Sequence, residues 1–286
     1  MANVVLVTVH GMGEDDVQYA APLRKRLARK IGPRFEANVD FRSVYYKAAL
    51  QHNQQVVWDR IAATSKVHYD DLRKFVLFGL GDAAGLETRK ENDGSVYELA
   101  QAEIARTLLA AYGANGEVPV MFLSHSLGCQ VLSNYIYDAQ KAQAGGLVGA
   151  GIWKNIDRWS RAALGRLLND DEKNFISAGT CMGWITTGCN IPVFVAAHKE
   201  MEIIPIAPPT PPFRWLNLYD PDDVLGWPLA PLSAGYAEMV EDRPMNSGQG
   251  AINWILKSWN PWSHSGYWVD DDVLDPLASM LRQLTE

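Results

Sequence analysis

The chain has 286 residues, 48% of them hydrophobic and 21% charged, with a formal net charge of −7 at pH 7. That content supports a substantial core and fits one large α/β domain or two modest ones. The acidic balance argues against a nucleic-acid partner, because the one dense basic cluster, Arg24-Lys25-Arg26 with Arg29-Lys30, reads as the solvated face of a helix.

Residues 3–9 form a nearly continuous apolar, β-branched run, the pattern of a strand buried on both faces of a parallel sheet. It ends at His10-Gly11-Met12-Gly13. A helix is expected at about 19–31 and a second strand at 39–46. Residues 50–80 carry helical spacing, and 81–95, polar and rich in glycine, read as loop. Helical spacing returns over 96–112. Residues 118–123 are another buried strand, followed by an amphipathic helix over 127–142. Strands are expected at 181–187 and 191–197, around Gly188-Cys189-Asn190. The five prolines of 205–212 dictate an extended loop. Residues 214–219 are strand-like and lead into Asp220-Pro221-Asp222-Asp223; 237–241 suit a short strand. Asp270-Asp271-Asp272 open a last helix at about 271–284.

Alternation of strands and helices means βαβ units and a mainly parallel sheet with helices on both faces. No repeat or long linker divides the chain, so a single domain over 1–286 is expected. Segments 48–95 and 143–178 are the expected lid or cap insertions over the active-site edge. No apolar run reaches the roughly 20 residues that span a bilayer. A strand-like run follows Met1 almost at once, so no signal peptide is expected. Cys129, Cys181 and Cys189 lack metal-type spacing and read as reduced thiols in a cytoplasmic protein.

Ser124-His125-Ser126-Leu127-Gly128 lies between a buried strand and an amphipathic helix. In that context a near-match to G-x-S-x-G is informative, because a sharp strand–turn–helix elbow exposes the serine oxygen. Ser124 stands where the pattern has glycine. A helix N-terminus behind Ser126 favours negative charge on a reacting oxygen. The glycines of His10-Gly11-Met12-Gly13 let the backbone turn a free amide toward that oxygen, so the amides of Met12 and Leu127 are the expected oxyanion donors.

A serine nucleophile needs a base and a group that orients it, in the chain order Ser, Asp or Glu, His. His198 and His264 follow Ser126. His264 is preferred, because it sits in a loop of aromatic and small residues just before the final helix. The acid is sought among Asp220, Asp222 and Asp223. Asp223 is preferred, since Asp220 precedes proline and starts the turn, and Asp242 is more remote.

On these residues the chain resembles the lipase- and esterase-type α/β-hydrolases of bacteria. The pentapeptide is similar to their Gly-His-Ser-Leu-Gly elbow and His10-Gly11 to their His-Gly oxyanion signature. Asp223-Val224-Leu225-Gly226 resembles their acid loop, and Ser263-His264-Ser265-Gly266-Tyr267-Trp268 their histidine loop. The resemblance implies Ser126 as nucleophile, Asp223 as acid and His264 as base, acting on a small-molecule or lipid ester without a cofactor.

Residues 75–85 hold glycines in the manner of a dinucleotide loop, but the third comes one position late and polar residues follow; a glycine turn between helices is the plainer reading. The histidines show no H-x-x-x-H pair, so no metal is expected. Four of the ten tryptophans fall at 254–268. Core packing accounts for them as well as an apolar acyl pocket lined by Trp227, Trp262 and Trp268. Two alternatives stay open: a hydrolase-fold binding or scaffold protein without turnover, and an acyltransferase using the same triad. Oligomeric state is not legible.

Overall fold

The computed structural model describes residues 1–11, 16–46, 52–65, 68, 70–197, 203–245 and 267–285. In chain order the elements begin β1 (Val4–Val9), α1 (Ala21–Ile31), α2 (Arg34–Asn38), β2 (Val39–Val44), α3 (His52–Thr64), α4 (Asp70–Glu87) and α5 (Val96–Asn115). They continue β3 (Val120–His125), α6 (Leu127–Gln143), α7 (Ile156–Leu164), α8 (Asp170–Ile176), β4 (Cys181–Thr187) and α9 (Ile191–Ala197). The last are β5 (Arg214–Tyr219), α10 (Ala234–Met239), β6 (Val240–Pro244) and α11 (Asp271–Thr285).

The strands form one sheet in the order β2-β1-β3-β4-β5-β6, and every neighbouring pair is parallel. Parallel neighbours need long crossovers, and the helices supply them. The chain steps outward from β1 to β2, returns past β1 to β3, and then proceeds to β6. Its direction of travel therefore reverses between β1 and β3. The carboxyl ends of those two strands flank the crevice in which open α/β sheets bind ligands.

Alternate residues of each strand serve opposite faces. Val5, Val7 and Val9 join α5 and α6 in one buried cluster, while Val4 and Leu6 join α1 and α11 in the other. Each such fully buried aliphatic side chain stabilises by about 1.5–3 kcal/mol. With helices on both faces of an all-parallel sheet, the fold is an open, doubly wound α/β arrangement. Residues Ile152, Trp153, Trp159, Leu168, Phe175 and Ile176 of the 143–178 segment belong to the α5–α6 cluster. Trp153 meets Tyr135 edge-on at 5.8 Å, and Phe175 lies 5.4 Å from Tyr112.

Three local expectations are corrected. The short strand expected at 237–241 begins only at Val240, because residues 237–239 end helix α10. The 191–197 run is helix α9, not a strand. Its β-branched residues suggested a strand, but Pro192 at the second position suits a first helical turn, and only Ile191 is deeply buried. The loop expected from 81 begins later, because α4 runs on to Glu87. Gly81 lies inside that helix, where a methyl would come within 2.6 Å of the Gln54 amide nitrogen. This glycine permits close approach of α3 instead of making a turn. Among the described residues no helix is long and apolar enough to cross a membrane.

Candidate active site

Ser126 occupies the bend between β3 and α6 with φ +52° and ψ −124°. A side-chain-bearing residue adopts that backbone only under constraint, at a cost of about 1–3 kcal/mol. The constraints are visible. The Ser126 amide donates to the Thr187 carbonyl of β4 at 2.9 Å, and its own carbonyl accepts from the Cys129 amide at 2.9 Å. A methyl on Gly128 would lie 2.3 Å from the His10 carbonyl oxygen and 2.6 Å from that of Val9. One on Gly11 would lie 2.7 Å from Ser126 Cβ. The end of β1 is thus pressed against the start of α6 at a spacing that only glycine allows. Ser126 Oγ is buried and makes no hydrogen bond to any described residue. Leu127 opens α6, so its amide has no acceptor one turn back within the helix.

The first strand delivers an ordered backbone to the same place. His10 is buried and stacks on Tyr46, with ring centroids 4.1 Å apart and an interplanar angle of 10°. The Tyr46 amide donates to His10 Nε2 at 3.3 Å, which leaves Nδ1 to donate to the Gly11 carbonyl at 2.6 Å. Tyr46 Oη donates to the His10 carbonyl at 2.6 Å. Burial holds the Tyr46 phenol well above the usual tyrosine range, with the charge of Asp82 adding to the effect, so it stays a donor. The Gly11 carbonyl is fixed by its own neighbour's side chain.

Ser124 has a structural role that glycine lacks. The buried Trp184 indole donates to Ser124 Oγ at 2.8 Å, and that hydroxyl donates to Cys129 Sγ at 3.2 Å. Trp184 stacks on Trp215 at 4.2 Å, and the Trp215 indole donates to Thr186 Oγ1 at 3.2 Å. Thr186 then donates to Asn217 Oδ1 at 2.8 Å, and Asn217 Nδ2 donates to the Trp227 carbonyl and to Asp242 Oδ1. The Asp242 carboxylate also accepts from the amides of Leu229 and Ala230 at 2.8–3.0 Å. Asp242 therefore anchors the loop that follows β5. Burial, with Cys129 beside it, raises the Cys189 thiol well above the usual range, so this thiol stays protonated.

The three candidate acids are placed differently. Asp222 is exposed, whereas Asp220 and Asp223 are both buried. Asp220 Oδ1 accepts the Asp222 amide at 2.9 Å, closing the turn, and the Asp223 amide donates to the Asp220 carbonyl at 3.0 Å. Asp223 Oδ1 accepts the Leu225 amide at 3.0 Å, and Oδ2 accepts the Tyr267 hydroxyl at 3.0 Å. A methyl on Gly226 would fall 2.9 Å from Asp223 Oδ2 and 3.1 Å from Gly188 Cα. That places the Asp223 carboxylate beside the loop ending β4, whose Thr187 carbonyl holds Ser126.

His125 Nδ1 lies 3.1 Å from both the carbonyl and the hydroxyl oxygen of Thr187, and its ring packs near Tyr267 and Trp268. Trp227 is 44% exposed, while Trp268 is 8% exposed and packs edge-on to Tyr19 at 5.3 Å. Trp268 belongs to the buried cluster shared with α1 and α11. Met12, His198, Trp262 and His264 lie outside the described residues. Among the described residues no group of three or more His, Cys, Asp or Glu converges as a metal site. Tyr267 and Thr187 had no role in the sequence reading. The position of Tyr267, three residues after His264, was the one available signal for it.

No protein-family model and no curated protein matches this chain. Among solved structures it is similar to a cutinase-like protein from Cryptococcus sp., with 11% identity over 99% of this chain and 95% of that one, at a TM-score of 0.40. An acetyl xylan esterase is 8% identical over the whole of both chains, at a TM-score of 0.42. Protein Atu2452 of unknown function from Agrobacterium tumefaciens is 11% identical over 99% and 92%, at a TM-score of 0.43. At these values the fold rests on the sheet order itself.

Proposed function

We propose that this protein is a serine hydrolase that cleaves a carboxylic ester through an acyl-enzyme. The observation that carries the reading is the strained, buried Ser126 at the switch point of the sheet, with its Oγ unbonded to any described group. Strain of this kind persists where surrounding structure over-determines it, and it clusters at active sites.

In this reading His264 takes the Ser126 proton as Oγ adds to the ester carbonyl carbon. The amides of Met12 and Leu127 hold the resulting oxyanion. Support comes from the Gly11 backbone, which is packed against the nucleophile: a methyl there would lie 2.7 Å from Ser126 Cβ. The intermediate collapses, the C–O bond breaks, and the departing alcohol takes the proton from His264. Water, giving its proton to His264, then attacks the acyl carbon. The acid leaves and Ser126 is restored. Asp223 holds the imidazole in the required tautomer and stabilises its charged form. Burial and two hydrogen bonds distinguish Asp223 from the exposed Asp222. Exposed Val224 and Trp227 flank it on the acid loop and support an ester with an apolar portion, small or lipid.

The test is turnover of p-nitrophenyl esters of increasing acyl length. Ser126→Ala is expected to lose about 10⁴–10⁶-fold in kcat. A Ser126→Ala protein as active as the wild type would remove the reading.

A further inference from the structure

We infer that Tyr267 is a positioning residue that sets the orientation of the Asp223 carboxylate; this inference rests on the reading of Asp223 as the acid. The Tyr267 hydroxyl touches both corners of the turn that carries Asp223. It accepts from the Asp220 amide at 3.2 Å and donates to Asp223 Oδ2 at 3.0 Å. Neither direction is free to reverse, because an amide N–H can only donate and a carboxylate can only accept. The phenol proton is therefore committed to Asp223. The second carboxylate oxygen takes the Leu225 amide at 3.0 Å, so each oxygen has a donor of its own and rotation about the carboxyl bond is opposed from both sides.

The phenol is itself held. Tyr267 is 1% exposed, and its ring lies 5.3 Å from that of His125, the residue preceding the nucleophile. One side chain thus links the acid turn to the elbow across the sheet edge. Burial, and then the negative charge of Asp223, raise the Tyr267 phenol well above the usual tyrosine range, so it remains a donor at any working pH. Packing alone needs only the ring, which phenylalanine also supplies. The hydroxyl is what the positioning role requires.

The experiment is a double-mutant cycle on Tyr267→Phe and Asp223→Ala, read as kcat and KM on a p-nitrophenyl ester. Asp223→Ala is expected to lose about 10³–10⁴-fold in kcat. Tyr267→Phe is expected to lose about 10–100-fold in kcat, with KM changed by no more than about twofold, as befits a misoriented catalytic group. In the Asp223→Ala background the same change is expected to cost less than about twofold, because the group through which Tyr267 acts is gone. A simple packing role predicts an equal loss in both backgrounds, and that result, or a fully active Tyr267→Phe, overturns the inference while leaving Asp223 as the acid. A fully active Asp223→Ala overturns the acid assignment and the role of Tyr267 together. Should Tyr267→Phe fail to fold, 3-fluorotyrosine at 267 keeps the ring and hydroxyl while making the phenol more acidic. A kcat altered by fluorination with Asp223 present and unaltered without it supports the inference; a kcat unmoved in both overturns it.

Discussion

Ser124 is the position at which the elbow departs from the familiar pattern, and replacing it tests whether that departure is structural. Its hydroxyl is buried and accepts from the Trp184 indole at 2.8 Å. Trp184 is fully buried and stacked on Trp215, so its N–H has no route to solvent. Ser124→Ala leaves that donor unpaired in the core, which costs about 1–3 kcal/mol. For a chain of this size each kcal/mol moves Tm by roughly 2–4 °C, so a fall of a few degrees to about 10 °C is expected. Ser124→Gly restores the residue the pattern usually has, yet it loses the same hydrogen bond and adds about 0.5–1 kcal/mol of backbone entropy. The expected order of stability is wild type, then Ser124→Ala, then Ser124→Gly, read by urea unfolding and Tm. A Ser124→Gly protein as stable as the wild type would contradict this role for the Ser124 hydroxyl.

The strain at Ser126 makes a second prediction. Glycine tolerates φ +52°, so Ser126→Gly should be at least as stable as Ser126→Ala, against the usual penalty of about 0.5–1 kcal/mol for glycine; thermal melts of the two variants compare them. A third prediction concerns acid. Glu172 lies on the capping box of α8, and its hydrogen bond to Arg166, opposed by burial and aided by the Asn169 amide, holds its carboxyl below the usual glutamate range. A depressed carboxyl stabilises the fold above its unfolded value and loses that contribution as pH falls through its folded value. The Tm deficit of Glu172→Gln should therefore be present at pH 7 and fade only as pH falls past the usual glutamate range and through the lowered folded value. It should be modest, because the Arg166 side chain is 55% exposed and solvent screens the pair.

The sheet was legible because strands buried on both faces leave nearly continuous apolar runs, as in Val4–Val9 and the first four residues of Val120–His125. The elbow was legible because close packing demands small residues at fixed offsets, and Gly128 and Gly11 meet that demand. Helix α9 was misread because β-branched residues also fill a short helix pinned by proline. The extent of α4 was misread because glycine marks helix contacts as well as turns, and pattern alone does not separate them. Asp223 was preferred among three neighbouring aspartates; burial sets Asp220 and Asp223 apart from Asp222, and the Tyr267 hydroxyl donates to the Asp223 carboxylate, features that depend on the tertiary fold. The role of Ser124 was hidden for the same reason, since its partner Trp184 lies on another strand.

The central claim is that Ser126 is the nucleophile. The most direct measurement is treatment of the intact protein with a fluorophosphonate, followed by mass spectrometry of its peptides. The proposed chemistry predicts one phosphonyl group per chain, on Ser126, and none after Ser126→Ala. A folded protein left unmodified at Ser126, or labelled at another serine while hydrolysing esters, would contradict it.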